Sequence, residues 1–173
     1  EIHIELHPNL AQALDQVEAY ARIVIENAGR RGKKAMVARW LAMHLQRRAL
    51  SSPAALRQSL QNRLDAIERR LKDPEEEDAS LDEKAVESSL FDRDPGEGTT
   101  EEQAVRRADM ALLLEKHLLI KEQAPLKKLL SLAKKIRPLH DSKLQKLGSD
   151  LLPELLEQDR SVIVFTRYHD TLS

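Results

Sequence analysis

The string closest to a phosphate-binding loop is Asn27-Ala28-Gly29-Arg30-Arg31-Gly32-Lys33-Lys34. Such a loop needs glycines whose neighbouring backbone N–H groups surround the phosphates, followed by Lys and then Ser or Thr. Asn27 stands where glycine is required, and Lys34 stands where the hydroxyl is required. The glycines therefore read as the end of a helix. His3 and His7 are four residues apart, but they run into Pro8 on a strand-like stretch and not along a helix. His44, His117, His140 and His169 are scattered, and no His-Glu-x-x-His is present. The histidines thus show no metal-ligating pattern. The absence of cysteine excludes a thiol nucleophile, a Cys-ligated zinc and a disulfide framework. No Gly-x-Ser-x-Gly elbow is present either. The chain is expected to carry no catalytic residue, metal site or cofactor of its own, and not to be an enzyme by itself.

Polyanion binding is the chemistry that the charge pattern does support. The formal net charge of −1 hides strong segregation. Residues 1–20 hold 4 acidic and 0 basic residues, whereas residues 21–72 hold 13 basic and 3 acidic. Residues 73–102 then hold 13 acidic and 2 basic, and residues 103–173 hold 13 basic and 9 acidic. A basic stretch beside an acidic one suggests a polyanion-facing surface next to a solvated loop. Arg30, Arg31, Lys33, Lys34, Arg47 and Arg48 are the candidate phosphate contacts, within a wider set that includes Arg39, Arg57, Arg63, Arg69 and Arg70. Contacts of this type give salt-dependent, sequence-independent binding. Aromatic residues make up 3% of the chain, too few to interleave a stacking platform for single strands.

These side chains need elements to carry them. Large apolar residues are mostly Leu, with Ala behind, which favours helix over strand. Ile2, Ile4 and Leu6 alternate like a half-buried strand that stops at Pro8. Asn9 is placed to cap a helix whose apolar face is Leu10, Ala13, Leu14, Val17, Ala21 and Val24, ending at Gly29. A second helix is predicted over about 34–50, with Trp40 anchoring the core. Ser52 and Pro53 supply a cap and a first helical position. The third helix follows with Leu56, Leu60, Leu64, Ile67 and Leu71. Residues 73–100, rich in acids, Pro and Gly, read as a loop. A long helix is predicted to about Gln123 and a new one from Pro125 to before Pro138. Asp141 caps a further helix that Gly148 and Pro153 bend or split. Val162, Ile163, Val164 and Phe165 form an apolar run typical of a strand buried on both faces. The expected fold is mainly α: a bundle of about five to seven helices with one or two short terminal strands. The divisions are a basic helical segment at 1–72, an acidic loop at 73–100, a helical segment at 101–158 and a strand at 159–173. No apolar run approaches the ~18 residues of a membrane-spanning helix, and no signal peptide is visible. A cytoplasmic location is expected.

The tail adds a resemblance. Asp141-Ser142-Lys143-Leu144 opens a helix that leads to Ser161-Val162-Ile163-Val164-Phe165-Thr166-Arg167-Tyr168-His169-Asp170-Thr171. This resembles the fourth helicase motif, where the second RecA-like lobe of superfamily-two helicases begins, especially in the bacterial Swi/Snf-type group. Arg47-Arg48-Ala49-Leu50-Ser51-Ser52-Pro53-Ala54-Ala55-Leu56, with Ser59, Leu60 and Arg63, is similar to a run between the lobes in one bacterial branch. The opening Ile2–Leu6 strand also sits as expected just after the first lobe. The resemblance implies a parent that hydrolyses ATP with magnesium and moves along double-stranded DNA. This chain would be its inter-lobe helical region, with residues 159–173 the truncated first strand of the second lobe. The phosphate loop and the Asp-Glu-x-x motif would lie upstream, and the arginine fingers downstream. Thr166, Arg167 and Tyr168 would meet a nucleic-acid backbone at the strand's end. An independent helical interaction scaffold and a small nucleic-acid-binding module are the alternatives. The exposed strand also offers a route to a dimer.

Overall fold

The computed structural model describes residues 3–72, 103, 105, 108, 109, 111, 112, 115–158 and 161–164. The acidic stretch 73–100 lies outside the described residues, as do Thr166, Arg167 and Tyr168. The architecture is mainly α. Helix α1 spans Pro8–Ala28, α2 Lys33–Ser51, α3 Pro53–Lys72 and α4 Lys116–Lys135. A 3-10 turn at Pro138–His140 leads to α5 (Ser142–Lys146), a π-helical turn (Leu147–Leu151) and α6 (Leu152–Glu157). Between α3 and α4, residues 103, 105, 108, 109 and 111 are also helical.

The four long helices pack in a ring, each against the next and α4 back against α1. Pairings along α3 and α4 run in opposite senses. Lys127 Nζ meets Glu68 at 2.9 Å, Lys134 Nζ donates to Gln61 at 3.3 Å, and Arg57 Nη1 donates to the Ile136 carbonyl at 3.2 Å. These are antiparallel neighbours of the kind that build an up-and-down bundle. Each helix buries one stripe. In α1 it is Leu10, Ala13, Val17, Tyr20 and Val24, and in α3 it is Leu56, Leu60, Arg63 and Ile67. In α4 it is Leu119, Glu122, Leu126, Leu129 and Ala133. Val105, Ala108 and Leu112 close the same core from the intervening segment.

Local chemistry explains the helix ends. Ser52 Oγ accepts from Ala55 N at 3.1 Å, with Pro53 behind it, so the expected cap of α3 is in place. Asp141 Oδ1 accepts from Lys143 N and Leu144 N, both at 3.1 Å, and starts α5. Replacing Ser52 with alanine should cost about 1 kcal/mol. Urea unfolding read by circular dichroism should show a lower midpoint with an unchanged slope.

Four expectations need correction. Helix α1 starts two residues earlier than the Asn9 cap allowed: His7 is the cap, its Nδ1 accepting from Asn9 N at 3.2 Å, and Pro8 takes the first turn. Helix α4 runs through Pro125; the non-helical residues ahead of it are Leu112, in a turn, and Glu115, its cap, among the described residues. Pro125 removes one backbone bond, to Lys121. Lys121 is solvent-exposed, so water can serve its carbonyl, and burial of Leu119 and Glu122 before the proline and Leu126, Leu129 and Leu130 after it holds both halves in line. Trp40 is only half-buried, stacked on His44 with ring centroids 5.3 Å apart. Finally, no strand forms among the described residues. Ile4 and Leu6 are exposed, and Ile163 is 77% exposed rather than buried on two faces. A strand needs a paired edge, and neither stretch finds one among the described residues.

The C-terminal arm follows its sequence signals. At the π-helical turn over Gly148, Leu152 N donates to Leu147 O, and Pro153 falls in the first turn of α6. No residue of α5, the π turn or α6 is buried. No helix among the described residues is long and apolar enough to cross a membrane.

Candidate nucleic-acid interface and the buried charge network

The α1–α2 turn is built by two glycines. Gly29 (φ 87°) and Gly32 (φ 92°) adopt the left-handed conformations that side chains resist, which lets four residues reverse the chain. Gly29 N donates to Glu26 O at 3.1 Å and closes α1. Arg39 Nη2 reaches back from α2 to the Arg30 carbonyl at 3.2 Å and fixes the turn. Arg30, Arg31, Lys33 and Lys34 are all exposed around it. The first turn of α2 contains no acidic residue, and its Gly32 cap makes no side-chain hydrogen bond. Cations at this end oppose the helix dipole, at a cost of about 0.3–1 kcal/mol each where exposed. An anion held there would reverse the sign of that term.

The candidate set does not stay together. Arg47 is exposed on α2. It follows Lys33 by 14 residues, so it shares that face about 21 Å along the helix. Arg48 is buried, and its Nε donates to the Ala55 carbonyl at 3.0 Å. It pins the α2–α3 corner and does not face solvent, so it leaves the phosphate-contact set. Thr166, Arg167 and Tyr168 lie outside the described residues.

No family model, curated protein or solved structure matches this chain. The functional reading therefore rests on its residues.

A second polar cluster lies inside the bundle, and it takes Arg63 out of the surface set as well. Arg63 is 2% exposed. Its Nε donates to Glu122 Oε1 at 2.9 Å and its Nη2 to Glu122 Oε2 at 3.1 Å, a bidentate fork. Nη1 donates to the Asp109 carbonyl at 2.8 Å and Nη2 to the Leu112 carbonyl at 3.2 Å. Those two carbonyls lie toward the end of a helical stretch, where intrahelical donors run out; Asp109 O also accepts from Leu112 N at 3.3 Å. Tyr20 donates its hydroxyl to Glu122 Oε1 at 2.5 Å. One guanidinium thus joins α3 to α4 and to the 103–112 segment, and Tyr20 ties α1 to the same carboxylate.

The Asp109 carboxylate is the weak member. It is buried, and its Oδ1 lies 3.5 Å from Arg63 Nη1, an ion-pair distance without a hydrogen bond. Burial raises its pKa from 3.8 to about 6; Arg63 pulls it back and Glu122 pushes it up. Burial, then Glu122, also lifts the Tyr20 phenol well above its usual value. Burial lowers the Arg63 pKa, but Glu122 and Asp109 outweigh it and hold the guanidinium charged.

Two histidines that look scattered in sequence meet in space. His7 and His140 stack with centroids 4.3 Å apart at 17°. The Nδ1 of His140 accepts from Arg137 N at 3.2 Å and faces Asn9 Nδ2 at 3.2 Å. Desolvation, His7 and Arg137 lower the His140 pKa. This pair staples the start of α1 to the turn after α4. No group of three or more metal-ligating side chains occurs among the described residues.

Proposed function

We propose that this chain is the helical region joining the two motor lobes of a cytoplasmic DNA helicase or translocase, and that it holds double-stranded DNA by its phosphates. Arg30, Arg31, Lys33, Lys34 and Arg47 are the contacts. The observation that carries the reading is the α1–α2 turn, where four exposed cations crowd a helix start that has no acid and no side-chain cap. The resemblance of the 141–171 tail to the fourth helicase motif supplies the motor context. ATP and magnesium belong to the parent's lobes, and Thr166, Arg167 and Tyr168 would extend the contact from the second lobe. Closure of the lobes would carry the basic surface along the duplex. No catalytic step is assigned to these helices.

The test is fluorescence anisotropy with a labelled duplex over a range of salt. The Arg30→Gln/Arg31→Gln/Lys33→Gln/Lys34→Gln variant should bind more weakly. Its dependence of log K on log salt should also be shallower, since each phosphate contact contributes about 0.9. Binding that does not weaken as salt rises would sink the reading.

One observation favours a second reading. Leu144, Leu156, Ile163 and Val164 are exposed on the C-terminal arm. A helical scaffold for a protein partner, or a dimer formed through the 161–164 edge, would cover them. In that case anisotropy should detect no duplex binding at any salt concentration.

A further inference from the structure

Helix α4 presents an outward face that the charge pattern of residues 21–72 does not reveal. His117, Lys121, Ala124, Lys128, Ser131 and Lys135 are exposed, at spacings of one helical side. Lys121, Lys128 and Lys135 make no hydrogen bond or ion pair with the described residues. The flanking lysines differ. Lys127 is held by Glu68 and Lys134 by Gln61, so the α3 side of α4 is already engaged. On α4 itself the exposed acid is its cap Glu115, beside His117 at 3.3 Å. The outward faces of α1 and α3 are unlike it: Asp15, Glu18 and Glu26 interrupt one, and Asp65 and Glu68 the other.

The geometry suits a polymer of regularly spaced anions. Seven residues of helix advance about 10.5 Å. Three nucleotide steps advance about 10 Å along one strand of a duplex. Ala124 and Ser131 are short, so a backbone can approach between the lysines. Within the ring, α4 contacts α1 and α3, whereas α2 stands across from it. A rigid duplex lying along α2 cannot also lie along α4.

We propose that α4 carries a second surface for a duplex nucleic-acid backbone, formed by Lys121, Lys128 and Lys135, on the side of the bundle away from the α2 surface. This rests on the reading that the chain binds duplex at all. With both surfaces in use, the bundle bridges two duplex segments.

The test uses the whole chain, an immobilised duplex and a second, labelled duplex captured through the protein. Wild type should capture the second duplex. The Lys121→Gln/Lys128→Gln/Lys135→Gln variant should lose capture by about tenfold or more. Its binding to a single duplex should stay within about twofold, because the α2 surface remains. The four-residue turn variant should also lose capture. Its residual single-duplex binding should keep a salt slope of about −2.7, the value for three phosphate contacts. Wild type that binds one duplex but captures no second, or a lysine variant that captures as well as wild type, overturns the α4 surface and leaves the α2 reading standing. Wild type that binds no duplex overturns both.

Discussion

Arg63→Met should lower the stability of the bundle by about 3–5 kcal/mol, the usual consequence of removing one partner from a buried ion pair. The methionine roughly fills the volume, so the loss is electrical rather than steric. Glu122, 1% exposed, would keep the Tyr20 hydroxyl as its one side-chain donor among the described residues. The Asp109 and Leu112 carbonyls would lose the guanidinium, the former keeping the Leu112 N donor, and a buried acceptor left unsatisfied costs about 1–3 kcal/mol. Arg63→Lys should recover part of the loss at most, because an ammonium cannot supply the planar fork. The informative companion is Tyr20→Phe/Arg63→Met/Glu122→Leu, which removes the charges and the hydroxyl together. Apolar replacement of a whole buried network is often neutral or stabilising. The triple variant should therefore be more stable than Arg63→Met alone. Urea unfolding of the series gives the coupling directly. An Arg63→Met loss below about 1 kcal/mol would mean that water reaches the network and that the pair behaves like a surface ion pair.

The residues of this network show which signals can be read from one chain. The stripe of α3 is legible as Leu56, Leu60, Leu64 and Ile67, and its cap as Ser52-Pro53. Arg63 sits inside that stripe, at a 4-3-4 spacing with Leu56, Leu60 and Ile67. Glu122 likewise sits between Leu119 and Leu126, and Tyr20 between Val17 and Val24. Position marks all three as inward-facing, while residue type marks Arg63 as a surface cation, and type misleads here. A cation inside one apolar stripe and a carboxylate inside another are a readable sign that the two helices meet. Geometry then settles what spacing cannot: which helices are neighbours, and that the same guanidinium also serves two carbonyls 46 and 49 residues away. Pro125 misleads for a related reason. Local chemistry predicts a stop, but tertiary burial on both sides of the proline outweighs one lost bond. The exposed turn at 29–32 is legible because it depends on nearby residues, two glycines with cations around them, although α2 begins at Lys33, slightly ahead of the expected start. Arg48 looks like its neighbour Arg47, and only the fold of the α2–α3 corner separates them.

Asp109→Asn should stabilise the protein at pH 8 and flatten its stability between pH 4 and 7. The carboxyl titrates near 6 in the folded chain, against 3.8 without its surroundings. Folding therefore takes up a proton in that window, and stability rises as pH falls from about 7 toward 4. Two pKa units correspond to about 3 kcal/mol. Above pH 7 the ionised Asp109 imposes that cost in full, because Glu122 already uses the Arg63 fork and Asp109 gains no hydrogen bond from it. Asparagine keeps the shape and drops the charge. The gain at pH 8 should approach about 3 kcal/mol and should vanish near pH 4, where wild-type Asp109 is largely protonated as well. Glu68 works the other way: Lys127 holds its pKa below the usual value, so its contribution fades as pH falls through that range. It is common to both proteins, so the difference between wild type and variant isolates Asp109. Urea midpoints at pH 4, 6 and 8 suffice. A variant less stable than wild type at pH 8 would show that the Asp109 charge binds Arg63 more tightly than its 3.5 Å contact implies. The carboxylate would then be a member of the clamp rather than a burden on it.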